Sequence, residues 1–183
     1  MDVKRIIQSL EETYPSRLVT IDSHTQGEPT RLLVGGLTRL PGDTMTAKQK
    51  NFQSRYDYLR MLLTREPRGH RGIMAAVVTE PVTSKGVFGL FYMDARRYPY
   101  LCGHATIGAV ATLVEAGLLA VPEGDSVITV DTPSGPMDAH ICVENGRVIL
   151  IRARIPESIA LSTMVFMPPF RVRSALKFVR AAE

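Results

Sequence analysis

The tripeptide Cys102-Gly103-His104 contains two side chains, a thiol and an imidazole, that are suited to acid–base catalysis. It stands directly before a stretch with the apolar spacing of a helix, so we expect the thiol of Cys102 to lie at a helix N-terminus. Backbone N–H groups and the helix dipole at that position lower the pKa of a thiol. A thiolate formed there could act as a base.

The same helix start could bind an anion beside the thiol. Helix N-termini bind carboxylates through their N–H groups, and a glycine such as Gly103 allows close approach. A buried cysteine that only packs fits the tripeptide as well. His104 fits either a contact with substrate or a polar residue that keeps the helix end hydrated. Because a closed zinc site needs four ligands, and no second Cys/His pair of suitable spacing is present, we predict no metal.

Three other candidate residues have simpler interpretations. His24 and His70 stand in segments that contain glycines, where each could make hydrogen bonds within a loop or line a pocket. Cys142 falls within an alternating strand pattern, which favours packing. The N-terminus does not resemble a signal peptide, so we expect a cytoplasmic location and two free thiols.

Two helices and seven strands are predicted from periodicity and turn signals. Residues 47–63 have one apolar stripe, and a second helix follows Cys102, with Ile107, Val110, Val114 and Leu118 on one face and Gly117 at its C-terminal end. The predicted strands are residues 18–22, 30–37, 73–80, 87–94, 127–131, 137–143 and 147–153, with residues 23–29 as a turn and Asn145-Gly146 as a hairpin turn. Strands outnumber helices, so we predict an α+β fold with a mainly antiparallel, barrel-like sheet around a central helix.

The composition is that of a single globular domain. The chain has 183 residues, of which 45% are hydrophobic and 22% are charged. A net charge of +4 is too small to indicate nucleic-acid binding, and no stretch approaches a membrane span. We therefore expect neither a nucleic acid nor a membrane as a partner.

Three segments together resemble the proline racemase family. They are residues 21–31 (IDSHTQGEPTR), 66–70 (EPRGH) and 102–108 (CGHATIG), in the order and at the spacing that the family shows. The resemblance runs from about residue 21 to about residue 154. It implies a cofactor-independent proline racemase, hydroxyproline 2-epimerase or trans-3-hydroxyproline dehydratase, built from two lobes that each resemble diaminopimelate epimerase.

The resemblance also implies roles for individual residues. Cys102 matches the first of two cysteines that transfer the α-proton, one on each face of the substrate. Gly103 and His104 match the residues that bind the substrate carboxylate. Met74 stands where many members have a phenylalanine, and it could line the pocket, as could His24 and His70.

This sequence departs from the family in its length. Members usually exceed 300 residues, and the second cysteine in its glycine- and threonine-rich segment is absent here. We expect an N-terminal extension (residues 1–16), a proline racemase-like N-terminal lobe (17–157) and a divergent basic tail (158–183), such as a truncated or frameshifted reading would give. A non-catalytic lobe that only binds carboxylates, or self-associates as a homodimer, is the alternative to an enzyme.

Overall fold

The computed structural model describes residues 3–14, 16–154, 163–166 and 176–180, in which there are three helices and nine strands. The helices are α1 (Val3–Thr13), α2 (Met45–Thr64) and α3 (Gly103–Glu115). The strands are β1 (Arg17–Thr25), β2 (Glu28–Gly35), β3 (Met74–Thr79), β4 (Gly86–Met93), β5 (Gly124–Thr132), β6 (Gly135–Glu144), β7 (Arg147–Arg154), β8 (Thr163–Phe166) and β9 (Leu176–Arg180).

All nine described strands belong to one sheet, in the order β8-β7-β6-β5-β4-β3-β2-β1-β9. Two of its pairings are parallel, β2 with β3 and β4 with β5, and the others are antiparallel. Helix α2 connects the first parallel pair, and α3 connects the second. Parallel neighbouring strands need such a crossover connection. The pairings confirm the predicted α+β fold with a mainly antiparallel sheet.

The sheet curls around α3. This helix packs against β1, β2 and β3 and also against β7, although five strands separate β1 from β7 in the sheet. In a flat sheet β1 and β7 would lie about 28 Å apart, more than twice the diameter of a helix. The contacts therefore require a strongly curved sheet with α3 on its inner face, as the predicted central helix requires.

Helix α3 is buried on all sides because the sheet encloses it. Every residue from 105 to 113 is buried. The helix ends in a Schellman motif, in which Gly117 N–H bonds Val114 O and Leu118 N–H bonds Leu113 O, with Gly117 at a φ of +69°. The predicted cap at Gly117 is confirmed. Leu118, predicted on the buried face, lies beyond the helix and is 59% exposed.

Helix α2 covers the outer face of the sheet. The side chain of Thr44 caps its N-terminus by accepting a hydrogen bond from Ala47 N–H at 3.0 Å. The predicted stripe is buried at Phe52, Leu59 and Leu63, against residues of β3 and β4 that alternate with those facing α3. Strands β3 and β4 are thus covered on both faces.

Strand β1 is longer than the sequence pattern predicted. It runs to Thr25, and a two-residue turn at Gln26 and Gly27, both with positive φ, connects it to β2. The predicted turn over residues 23–29 is wrong because Ser23 and Thr25, although polar, are buried and paired with β2. The Asn145-Gly146 hairpin, in contrast, forms as predicted between β6 and β7.

The two ends of the chain contain elements that the sequence pattern did not indicate. Helix α1 lies in the predicted N-terminal extension, and β8 and β9 lie in the predicted tail, where they pair with β7 and β1. Residues 155–162, 167–175 and 181–183 of the tail region fall outside the described residues. Among the helices that are described, none is long and apolar enough to cross a membrane. The predicted cytoplasmic location stays a prediction.

Substitution of Gly117 by alanine should lower the free energy of unfolding by about 1 kcal/mol, because a Cβ is disfavoured at a φ of +69° even where no atom is close. Gly72→Ala is the matched control, since its φ is not in the left-handed region and its added Cβ meets only the His70 ring, at ordinary distance. Urea denaturation measures both. Equal losses in the two variants would contradict the role given to Gly117.

Candidate active site

The loop between β4 and α3, residues 94–101, places Cys102 at the inner edge of the sheet. Gln49 of α2 is buried and donates its side-chain N–H to Pro99 O at 3.0 Å. Ser134, in the turn between β5 and β6, donates to Tyr100 O at 3.1 Å, and Arg60 of α2 donates to Asp94 O at 3.2 Å. The loop is thus held by α2 and by the turn between β5 and β6.

Cys102 is the N-cap residue of α3, as predicted. Its backbone is extended (φ −149°, ψ 104°), and its carbonyl accepts the first helical hydrogen bond, from Thr106 N–H at 3.0 Å. The N–H groups of Gly103, His104 and Ala105 therefore have no carbonyl partner within the helix. Together they form a cluster of donors next to the sulfur, which is the arrangement that the anion-binding hypothesis needs.

The Cys102 thiol is protonated at neutral pH. It is 9% exposed, and burial raises its pKa to about 11, with the charges of Glu28 and Asp94 acting in the same direction. The N–H groups of Ala105 and His104 lower the pKa but do not outweigh burial. The lowered pKa expected from the helix start is therefore wrong, because burial destabilises the thiolate more than the helix N-terminus stabilises it.

The imidazole of His104 lies beside the thiol. Its Nδ1 is 3.4 Å from the Cys102 Sγ, and its Nε2 is 3.8 Å from the same atom. Burial lowers the pKa of His104, while the carboxylate of Glu28 acts in the opposite direction. A neutral thiol therefore faces a neutral imidazole, a pair that can share a hydrogen bond without a net charge.

The tip of the β1–β2 hairpin reaches the start of α3. The hydroxyl of Thr25 donates to His104 O at 3.0 Å, and the charge of Glu28 influences both Cys102 and His104. Neither Thr25 nor Glu28 was singled out from the sequence. Both belong to the segment of residues 21–31 that carried the family resemblance, so that segment was the available signal.

The other predicted pocket residues, Met74, His24 and His70, have different surroundings. Met74 is half-buried at the start of β3 and packs against the cluster that includes Cys102. His24 is half-buried in β1, not in a loop, and its Nδ1 accepts a hydrogen bond from Gly27 N–H at 3.3 Å. His70 is exposed, and its Nδ1 accepts from Gly72 N–H at 3.2 Å. Both histidines thus make local hydrogen bonds.

Cys142 is separated from the site by the sheet. It is a free thiol in β6, as Cys102 is at the start of α3. Its neighbours Ile141 and Val143 face the cluster around α3, so the Cys142 side chain lies on the other face. It is half-exposed, and hydrogen bonding to Asp125 is the main cause of its raised pKa. Cys102 and Cys142 cannot act together within one copy.

Within the described residues, no three Cys, His, Asp or Glu side chains lie close enough together to hold a metal ion. The donors at the start of α3 are backbone N–H groups, which suit an anion and cannot ligate a cation.

Comparison with known proteins settles the family. The model of the family described as proline racemase matches residues 20–165. The chain belongs to the proline racemase family. It is 40% identical over 128 residues to a proline racemase of Acetoanaerobium sticklandii and 39% identical over 126 residues to a 4-hydroxyproline 2-epimerase of Streptosporangium roseum. It is also 31% identical over 129 residues to a trans-3-hydroxy-L-proline dehydratase of Bacillus cereus.

These matches cover about 70% of this chain but only part of each relative. The covered share is 38% of the racemase, 38% of the epimerase and 39% of the dehydratase. A hydroxyproline epimerase from Agrobacterium vitis, solved with bound trans-4-hydroxy-L-proline, has the same fold with a TM-score of 0.70 at 21% identity. That match covers 75% of this chain and 41% of the epimerase. The chain therefore spans about two fifths of the length of the relatives that it matches.

Alkylation should reveal the raised pKa of Cys102. In a Cys142→Ser variant, we expect the rate with iodoacetamide to be slow at pH 7 and to rise about tenfold per pH unit towards pH 11, because only the thiolate reacts and its fraction follows the pKa of about 11. Mass spectrometry of quenched samples measures the rate. A rate that levels off below pH 8.5 would show that the helix start, not burial, controls this thiol.

Proposed function

We propose that this chain is the thiol-bearing lobe of a cofactor-independent racemase or epimerase that acts on proline or hydroxyproline. The observation that carries the proposal is the placement of the Cys102 thiol beside the N–H groups at the start of α3 that have no carbonyl partner within the helix. A base and an anion site within one helical turn are what α-proton transfer on an amino acid requires. The relatives named as racemase and epimerase support the substrate class.

The helix start fixes the substrate by its carboxylate. The N–H groups of Gly103 and His104 would bind the two carboxylate oxygens by charge-assisted hydrogen bonds. The Cα next to the carboxylate would then lie within reach of the Cys102 sulfur. As the α-proton leaves, negative charge develops on the carboxylate, and the same N–H groups stabilise it.

A thiol that is neutral in the ligand-free lobe fits this chemistry. Racemisation needs one protonated and one deprotonated group at any moment, and a neutral Cys102 is ready to donate a proton. For Cys102 to act as the base, a positive charge must come close. The secondary ammonium of a bound proline supplies one, and it lowers the pKa of a neighbouring thiol.

Inversion requires a second acid on the opposite face of the substrate. Cys142 cannot provide it, because the sheet separates it from Cys102. We therefore propose that the opposite face is completed by protein outside the described residues, and that this lobe alone handles one face. A trans-3-hydroxyproline dehydratase would use the same first step, removal of the α-proton. Because the chain is 31% identical to such a dehydratase, dehydration is the second candidate reaction.

Pyrrole-2-carboxylate, a planar mimic of the deprotonated proline ring, should bind at the start of α3 with a Kd of roughly 1 mM, or about 4 kcal/mol, since in the proposed arrangement this chain supplies only one face of the pocket. In an NMR titration we expect the amides of Gly103 and His104 to shift. Pyrrole-2-carboxamide is the control, because it keeps the ring and lacks the charge. Unmoved amides at saturating carboxylate would refute the anion site.

The 183-residue chain alone should not convert L-proline to D-proline at the rate of a complete enzyme, because it carries no second thiol on the other face of the substrate. Chiral chromatography measures the conversion. We expect Cys102→Ser to remove whatever α-proton exchange remains and Cys142→Ser to leave it unchanged. Full turnover by this chain, or exchange that survives Cys102→Ser, would contradict the assignment.

A further inference from the structure

A chain of buried hydrogen bonds ends on the carbonyl of Cys102. The hydroxyl of Thr106 donates to Cys102 O at 2.9 Å, and the hydroxyl of Tyr92 lies 2.6 Å from the Thr106 oxygen. Tyr92 on β4 and Thr106 on α3 are both 0% exposed. The chain therefore joins the sheet to the first turn of α3 beneath the thiol.

The direction of this chain follows from the chemistry of its groups. A carbonyl can only accept, so the single hydroxyl proton of Thr106 is used on Cys102 O. Tyr92 must then be the donor to Thr106. Burial also raises the pKa of Tyr92 well above its ordinary value, so the phenol keeps the proton that it donates.

The carbonyl that receives this chain belongs to the same peptide unit as the N–H of Gly103. That unit is planar, with its C=O and N–H pointing in opposite directions. Cys102 O accepts from both the hydroxyl and the N–H of Thr106, which fixes its orientation. The Gly103 N–H is thereby held pointing out of the helix start, towards the space beside the thiol.

We propose that Thr106 and Tyr92 are positioning residues of the site: the relay from Tyr92 through Thr106 to Cys102 O aims the Gly103 N–H at the substrate carboxylate. The consequence for binding rests on the proposed function. The consequence for the Gly103 peptide does not, and it can be measured in the ligand-free protein.

Four variants test the relay. Thr106→Val removes the hydroxyl at nearly constant volume, Thr106→Ser keeps it, and Tyr92→Phe removes only the outer donor. Thr112→Val is the matched control, because Thr112 is also 0% exposed in α3 and, within the described residues, its hydroxyl has no hydrogen-bond partner.

We expect the Gly103 amide resonance of the ligand-free protein to move in Thr106→Val, to move less in Tyr92→Phe, and to stay near its wild-type position in Thr106→Ser and Thr112→Val. Affinity for pyrrole-2-carboxylate should fall about fivefold in Thr106→Val, the usual effect of one lost hydrogen bond, and be restored by serine. If Thr106 only stabilised the fold, its substitution by valine would not shift the Gly103 amide more than the control substitution of Thr112 does.

The relay and the proposed function fail in different ways. If Thr106→Val leaves the Gly103 amide where Thr112→Val leaves it, the relay is wrong. If Thr106→Val does not fold, Tyr92→Phe decides: a shifted Gly103 amide supports the relay, and an unshifted one overturns it. If the wild type does not bind pyrrole-2-carboxylate while the ligand-free shifts occur as expected, the relay stands and the carboxylate site is wrong.

Discussion

Enclosure of α3 by the curled sheet is the constraint on which the rest of the lobe depends. The helix is buried on all sides, and strands from both halves of the sheet cover it. Its N-terminus still has N–H groups that the helix cannot satisfy. The body of the helix is buried, whereas the N–H groups of its first turn have no carbonyl partner within the helix. They form a small polar centre around Cys102 at the edge of an apolar interior.

Two opposing effects act on the thiol at that centre. The helix start favours the thiolate, whereas burial and the nearby carboxylates of Glu28 and Asp94 favour the neutral thiol, and burial is the larger effect. The balance is therefore sensitive to what binds. A ligand that brings a positive charge and excludes little additional water would shift it towards the thiolate. In the proposed reaction, Cys102 would therefore become a base only when a cationic substrate is bound.

Features fixed by local chemistry were predictable from the sequence. The helix start at Cys102, the Schellman cap at Gly117 and the Asn145-Gly146 turn each depend on a few adjacent residues, and each is found. What depends on burial was not predictable. Thr25 can continue a strand because its buried hydroxyl donates a hydrogen bond to His104 O, a residue distant in sequence. The pKa of Cys102 is raised because residues distant in sequence exclude water from the thiol.

The relay from Tyr92 to Cys102 O belongs to the second kind. From the sequence pattern alone, Tyr92 is an ordinary strand residue and Thr106 is an ordinary residue of a buried helix. Only the packing of β4 against α3 brings their hydroxyls to 2.6 Å. The family resemblance included Thr106 within residues 102–108, but it gave no reason for a hydroxyl at that position.

In the proposed reaction one thiol, held at one helix start, serves one face of a bound amino acid. Deuterium exchange at the α-carbon tests it most directly: L-proline and D-proline are incubated separately with the chain in deuterated water, and label and configuration are followed by mass spectrometry after chiral separation. We expect label in one enantiomer only, with its configuration retained, and none with Cys102→Ser. Equal labelling of both enantiomers, or label that appears together with inversion, would contradict it.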